Sequence, residues 1–369
     1  MLNSQLTRPE EIVPSSPAVK EALQPFVDTG ALAGAVALVA DKDRIVSLDA
    51  VGYADAAARK LIKPGAVFWI ASQTKPMTAS LLMMLVDEGR VNLDDAVEKY
   101  LPEFAGQWMV AEQDEEHMLL KRPSRPASVR DLLCHTSGLP FRTALEQPTL
   151  DALPLNVGVG SYAMTPLQTD PGAVWSYSNS GINTVGRIVE VVGGMSYWEF
   201  LKSRLLDPLG MAETTFWPSA EQLTRLAKPY EPNAEKTGLQ ETTISQLQYP
   251  LDNPQRQPMP AGGLFSTAVD VAKFCRMALN GGVFEGKRLL SEKAVADMTT
   301  RQTPPNMEQS FGLGWGVGED TFGHGGALST DMVVNRKHGL ILVYLVQHAG
   351  FPLNGGEALG AFHKAVLDR

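Results

Sequence analysis

Ser72-Gln-Thr-Lys75 stands at the head of Met77-Thr-Ala-Ser-Leu-Leu-Met-Met-Leu-Val, a run apolar nearly all round a helix that closes at Gly89. Positions three apart share a helical face, so the Lys75 amine falls beside the Ser72 hydroxyl. A helix apolar on every side is a buried helix. Burial lowers a lysine pKa towards that of a usable base, and the helix N-terminus adds free N–H groups and a positive dipole end. Ser72 would then act as a nucleophile without histidine or aspartate. Read by itself, the tetrapeptide is also compatible with an N-capping serine and a solvated lysine. It is the only Ser-x-x-Lys in the chain.

Two further clusters could do chemistry. Pro171-Gly172-Ala-Val-Trp175-Ser-Tyr177-Ser178-Asn179-Ser-Gly181 is a turn that delivers a tyrosine and an asparagine two apart, just before a helix. The phenol can shuttle a proton and the amide can orient a substrate; an aromatic turn with an asparagine cap is the other reading. Gly323-His324-Gly325-Gly326-Ala327 leads into a strand near the C-terminus. Its glycines allow close backbone approach by a ligand, and an edge N–H there could complete an oxyanion hole. Taken alone it is a glycine-rich lead-in to a strand with a structural histidine.

The elements that must position these residues are legible in outline. Helical spacing of Ala18, Ala22, Leu23 and Phe26 predicts a helix from Pro17 to Gly30. Runs from Ala33 to Ala40 and from Arg44 to Val51 flank Asp41-Lys42-Asp43 as a hairpin. Strands are expected again over Phe311 to Val317, Ala327 to Val334 and Leu340 to Val346, followed by a helix from about Gly355. Between the two ends the patterns are helical, as in Gly181 to Val192 and Tyr197 to Leu205, and Thr267-x-x-Asp270 opens a helix over Ala268 to Leu279. The expected fold is α+β: an antiparallel sheet flanked by helices, built from both termini, with an inserted mainly helical domain. Residues 1–71 and 255–369 would form the sheet domain and residues 72–254 the helical one, with a Pro- and Gln-rich lid loop at about 230–260.

Composition narrows the field of functions. The 369 residues carry 32 Lys+Arg against 41 Asp+Glu, a net charge of −9 that disfavours a nucleic-acid partner. The two cysteines, Cys134 and Cys275, lie far apart and read as small buried apolar residues. The six histidines show no metal-ligand spacing, so no metal and no cofactor are expected. No apolar stretch, Leu81 to Val86 included, is long enough to span a bilayer, and Met1 to Glu10 lacks a signal-peptide pattern. That places the chain in the cytoplasm if it is complete, and in the periplasm or outside the cell if a signal peptide has been removed. The oligomeric state is open.

In the order Ser-x-x-Lys, Tyr-x-Asn, His-Gly-Gly, the three clusters resemble the serine β-lactamase and penicillin-binding-protein superfamily. The Tyr-x-Asn form is similar to the class C branch, which includes DD-peptidases, D-aminopeptidases and family VIII carboxylesterases. Leu132-Leu-Cys-His135-Thr-Ser-Gly138, Pro208-Leu-Gly210-Met and Gly262-Gly-Leu-Phe-Ser266-Thr resemble the same branch. The resemblance implies that Ser72 is acylated, Lys75 accepts its proton and Tyr177 assists proton transfer to the leaving group. It also implies that Asn179 binds the acyl side chain and that the N–H groups of Ser72 and Ala327 form the oxyanion hole, with His324, Gly325 and Gly326 beside the substrate.

Where class C β-lactamases carry Lys-Thr-Gly, this chain has His324-Gly-Gly, which weakens an anion site. The implied activity is therefore a serine carboxylesterase cleaving small acyl esters through an acyl-enzyme, with weak β-lactam turnover at most. The alternative is a β-lactamase, DD-peptidase or D-aminopeptidase acting on β-lactams or D-amino acid amides. A non-catalytic binding protein of the same fold is a third reading. No G-x-S-x-G occurs, which disfavours an α/β-hydrolase. Phe141, Tyr162 and Trp315 are candidates for the pocket wall and equally for the core.

Overall fold

The structure is a computed structural model that describes residues 14–368. The decapeptide read for a targeting signal lies outside the described residues, as does Arg369. Seven strands form one antiparallel sheet: β1 (Gly34–Ala40), β2 (Ile45–Asp55), β3 (Lys60–Leu61), β4 (Gly316–Val317), β5 (Thr321–Gly325), β6 (Asp331–Asn335) and β7 (Leu340–Leu345), in the order β4-β5-β6-β7-β1-β2-β3. The N-terminal hairpin joins the C-terminal strands through β1 and β7, with Val36 opposite Leu345 and Ala40 opposite Ile341.

All seven residues of β1 are buried, which is why its sequence shows no polar alternation. Helices cover the sheet on both sides. Ala35, Ala37, Val39, Leu342 and Tyr344 pack against α1 (Pro17–Asp28) and the C-terminal helix α6 (Ala358–Leu367) through Val19, Leu23, Phe26 and Phe362. The opposite face, with Val36, Leu38, Val343 and Met332, joins the larger core that includes α5 (Ala268–Leu279). Thr267 caps α5 by accepting from Asp270 N–H, as the Thr-x-x-Asp spacing predicts.

At the centre of the larger core runs α2 (Thr74–Asp87), whose residues from Thr74 to Leu85 are all buried. It packs on α4 (Asn179–Gly193), and between them in the chain lies the short α3 (Val129–Cys134). Burial on every side requires neighbours at very short range. Gly314, at φ +78°, lies against α2 so closely that a Cβ there would run into Ala79.

Several expected boundaries move. Phe311 to Val317 is a strand only at Gly316–Val317, with Phe311 making a single bridge to Gly316. The strand expected from Ala327 begins instead at Asp331, because Gly326 N–H donates to Thr330 O and Ser329 N–H to Gly326 O, which closes a turn around Ala327. Helix α4 starts at Asn179, two residues before Gly181, because Ser178 caps it by accepting from Gly181 N–H. The helix expected over Tyr197 to Leu205 is α-helical over Tyr197–Leu201 and widens to a π turn over Lys202–Leu206. Cys134 and Cys275 are both buried and unpaired, with Cys275 Sγ 3.7 Å from Met332 Sδ.

The Pro- and Gln-rich stretch contains a small hairpin, Tyr230–Pro232 with Leu239–Glu241, and is tied down beyond it by Arg256. Arg256 is 2% exposed; its Nε donates to Asp151 Oδ2 at 2.7 Å and its guanidinium also reaches Phe216 O and Leu251 O. Breaking a buried ion pair from one side leaves an uncompensated charge. Asp151→Ala is expected to lower stability by about 3–5 kcal/mol in urea denaturation, and Asp151→Leu with Arg256→Met to recover most of that loss. Equal loss in the single and double variants would show that the pair has no special role.

Candidate active site

Ser72 follows a strained residue. Ala71 has φ +46°, a left-handed conformation that costs a non-glycine residue roughly 1–2 kcal/mol. The chain turns sharply there from Phe68–Trp69 into a 3-10 turn over Ala71–Gln73 and then into α2, so Ser72 stands at the mouth of a cavity while Lys75 is carried into the interior.

Lys75 Nζ lies 3.0 Å from Ser72 Oγ, 2.8 Å from Asn179 Oδ1 and 2.6 Å from Ala261 O. It is fully buried, and desolvation drives its pKa well below that of an ordinary lysine. A neutral amine has two N–H bonds and one lone pair. With Asn179 and Ala261 accepting the two hydrogens, the lone pair is left for the Ser72 hydroxyl proton.

The acceptor on Ala261 is itself fixed. Asn183 Oδ1 accepts from Ala261 N–H at 3.0 Å, Asn183 Nδ2 donates to Tyr162 Oη, and Tyr162 donates to Glu146 at 2.6 Å. Thr78 on α2 hydrogen-bonds the preceding carbonyl, Pro260 O, at 2.7 Å, and Trp69 Nε1–H donates to the following one, Gly262 O, at 2.7 Å. Tyr162 is therefore part of this buried support rather than the pocket wall. Trp315 is core as well, stacked on Phe274 at 5.5 Å between ring centroids.

Tyr177 and Ser72 border the same cavity, and the Tyr177 ring lies 4.6 Å from Lys75 Nζ. Burial pushes its hydroxyl up to about 12, so it is a neutral phenol near pH 7. Its turn is held by His135, which adopts φ +60° at the end of α3. His135 O accepts from Ser176 N–H at 2.8 Å, His135 Nδ1 accepts from Ser178 N–H at 3.2 Å, and the imidazole packs on the Tyr177 ring at 4.5 Å. An Nδ1 that accepts fixes the neutral tautomer, and burial holds the His135 pKa well below 6.5. His135 is the positioning residue that motif reading by role overlooks, although His135-Thr-Ser-Gly carries part of the family resemblance.

On the other side of Ser72 stands the end of β5. β4 pairs with β5 only at Phe322 and Gly323, so residues 324–327 are unpaired along that edge. A Cβ on Gly326 would stand 2.6 Å from Ile70 O, so only glycine lets this turn lie against the chain just before Ser72. Ser72 and Ala327 both border the cavity, and Ala327 N–H has no hydrogen-bond partner among the described residues. His324 is half-buried; its Nδ1 is 2.7 Å from Gly325 O, and burial pushes its pKa down to about 4, leaving a neutral ring.

All eight residues singled out from sequence thus gather here: Ser72, Tyr177, Asn179, His324, Gly325, Gly326 and Ala327 line one cavity of about 420 Å³, and Lys75 lies beneath Ser72. Phe141 is part of its wall, as are Trp69, Gln246 and Met259, which motif reading does not reach.

The sequence profile described as Beta-lactamase matches residues 19–362. The chain belongs to the beta-lactamase family. Protein Rv1367c of Mycobacterium tuberculosis is 32% identical over 362 residues, covering 87% of each chain. Lovastatin esterase of Penicillium rubens is 26% identical, covering 90% of this chain and 92% of that one. Among solved structures, EstCE1, a hydrolase with promiscuous acyltransferase activity, superimposes with a TM-score of 0.78 at 22% identity, covering 95% and 97%.

If Lys75 is the base, it acts only when neutral, and the neutral fraction rises with pH. Activity is then expected to climb through one ionisation well below that of an ordinary lysine and to hold until the Tyr177 phenol ionises at about 12. The pH profile of kcat/KM checks this. A controlling ionisation that survives in Lys75→Arg would assign the base elsewhere.

Proposed function

We propose that this protein is a serine carboxylesterase that cleaves small, uncharged acyl esters through an acyl-enzyme. The observation that carries the reading is the lining of the cavity at Ser72. Its walls are Trp69, Phe141, Met259 and Ala261, and among the described residues lining it there is no Lys or Arg. His324, at the position where class C β-lactamases carry a lysine, is a neutral imidazole. A carboxylate, as on a β-lactam, would enter this cavity without a cation to replace its water. An alkyl acyl chain loses nothing by entering it.

The reaction then runs as follows. Ser72 Oγ attacks the ester carbonyl while its proton passes to the Lys75 lone pair. The oxyanion is held by the N–H groups of Ser72 and Ala327. Lys75 returns the proton through the Tyr177 hydroxyl to the departing alcohol oxygen, leaving the acyl group on Ser72. Asn179 Oδ1 orients the amine throughout. Water repeats the sequence in reverse roles: its proton goes to Lys75, the acyl–Oγ bond breaks and Ser72 recovers a proton. The resemblance to lovastatin esterase supports an ester as the substrate class.

The test is hydrolysis of p-nitrophenyl butyrate and nitrocefin side by side. Ser72→Ala is expected to lose roughly 10⁴-fold or more in ester kcat/KM. In the wild type, nitrocefin turnover is expected to be slow or absent, and His324→Lys to raise it relative to the ester by supplying the missing cation. Fast nitrocefin cleavage by the wild type would put the β-lactamase reading first. Ester cleavage unchanged in Ser72→Ala would reject the site.

A further inference from the structure

Around the edge of the sheet from Ser72 lies a second cavity, about 390 Å³, bordered by the same Tyr177, His324 and Gly325 that border the first. Its floor follows from strand register. Gly316 on β4 lies opposite Gly323 on β5, and Gly325 lies opposite Asp331 on β6, so these residues share one face of the sheet. Further into the sheet the same face is covered by α1 and α6. At this edge three glycines leave bare backbone. Gly323 is needed, because a Cβ would run into Met332 O; at Gly316 a Cβ would press on a single backbone atom, Gly323 O, at 3.3 Å.

Trp175 and Phe311 wall the groove, with ring centroids 5.9 Å apart. Asp331 lies at its inner end. One carboxylate oxygen, Oδ2, is buried, 3.8 Å from His363 Nε2, and among the described residues neither atom has a hydrogen-bond partner. The other, Oδ1, stands 3.9 Å from where a Cβ on Gly325 would be and accepts no hydrogen bond among the described residues. A largely buried carboxyl without a donor is an unfavourable arrangement that a ligand hydroxyl or amino group would relieve.

The two cavities meet at Tyr177. With the acyl chain beside Phe141 and Met259, the other substituent of the reacting carbonyl must pass Tyr177, the group that hands it a proton. We propose that the groove over Gly316 and Gly325 is the alcohol subsite, seating a flat, ring-bearing alcohol whose far end carries a hydroxyl or amino donor for Asp331. This deepens the ester reading and rests on it. By microscopic reversibility the seat of the leaving alcohol is also the seat of an accepting one. The acceptor oxygen bonds to the acyl carbon, its proton goes to Lys75, the acyl–Oγ bond breaks, and Lys75 returns the proton to Ser72. A new ester forms in place of the acid, with no further reactant.

Two measurements test this. In the Ser72→Ala protein, which cannot turn over, calorimetry is expected to show 4-hydroxybenzyl alcohol binding about 5–10-fold more tightly than benzyl alcohol, the value of one hydrogen bond. Asp331→Ala should erase that difference, and Gly316→Leu should weaken both alcohols at least about tenfold by filling the groove. In the active enzyme, 4-hydroxybenzyl alcohol should divert butyryl groups from p-nitrophenyl butyrate into a new ester. Gly316→Leu should suppress that diversion at least about tenfold. Binding indifferent to both Asp331→Ala and Gly316→Leu would overturn the subsite and leave the ester reading standing. Intact, variant-sensitive binding with no ester turned over would overturn the ester reading and, with it, the assignment of the bound alcohol as a leaving group. Thermal melting of each variant separates loss of binding from loss of fold.

Discussion

The structure depends on keeping one amine dry. Lys75 is fully buried in the larger core, and among the described residues no carboxylate pairs with it. An isolated ammonium ion there would be very unfavourable, so the amine sheds its proton. Burial thereby supplies the chemical property the site needs. The requirement spreads outward: a dry amine needs a helix that is apolar all round, and such a helix needs a neighbour on every side. This is why α2 runs through the centre of the larger core, with α4 packed along it and Gly314 pressed against its backbone.

A neutral amine also has to be aimed. Its two N–H bonds must be occupied so that the lone pair faces Ser72, and the acceptors come from distant parts of the chain. Asn179 opens α4, where the Ser178 cap and the Phe141 carbonyl fix the helix start. Ala261 is held from behind by a chain of buried hydrogen bonds through Asn183 and Tyr162 to Glu146. Such networks strengthen when every member is satisfied. Here Ala261 is the last member before the reacting atoms, so a change as remote as Glu146 would be felt as a rotation of the Lys75 lone pair.

The parts of this arrangement that the sequence reveals are those whose chemistry is local. Ser72 and Lys75 share one helical face, Tyr177 and Asn179 sit in one turn, and His324 to Ala327 form one short run. Residue type and spacing are therefore enough to nominate them, and the apolar run after Lys75 predicts its burial. What escapes is set by register and by long-range packing. Ala261 contributes a carbonyl, which has no signature in residue type. Tyr162 and Trp315 read equally as wall or core, and only the fold assigns them to the interior. The strand expected from Ala327 begins only at Asp331, because the turn at Gly326 lies against Ile70, 256 residues away in sequence, and the strand that bears His324, Thr321–Gly325, is not among those expected. The sheet itself was legible from its hairpins at the two ends, since their pairing through β1 and β7 leaves two apolar strands no other partner.

The same dryness that neutralises Lys75 acts on its neighbours. Burial holds His135 and His324 uncharged and raises the Tyr177 phenol, so the groups around Ser72 are neutral together near pH 7. In the proposed reaction, when Lys75 takes the serine proton, a cation appears in a cavity lined by no Lys or Arg among the described residues, at the moment an oxyanion forms on the substrate. The two charges arise as a pair, a few ångströms apart, in a medium of low dielectric, where their attraction is far larger than in water. A substrate that brought its own negative charge would bind that cation in the wrong place and at the wrong time, holding Lys75 in its protonated form before reaction. The apolar walls around Ser72 and the neutral imidazole of His324 act in the same direction: both preserve a site whose only charges are those the reaction creates.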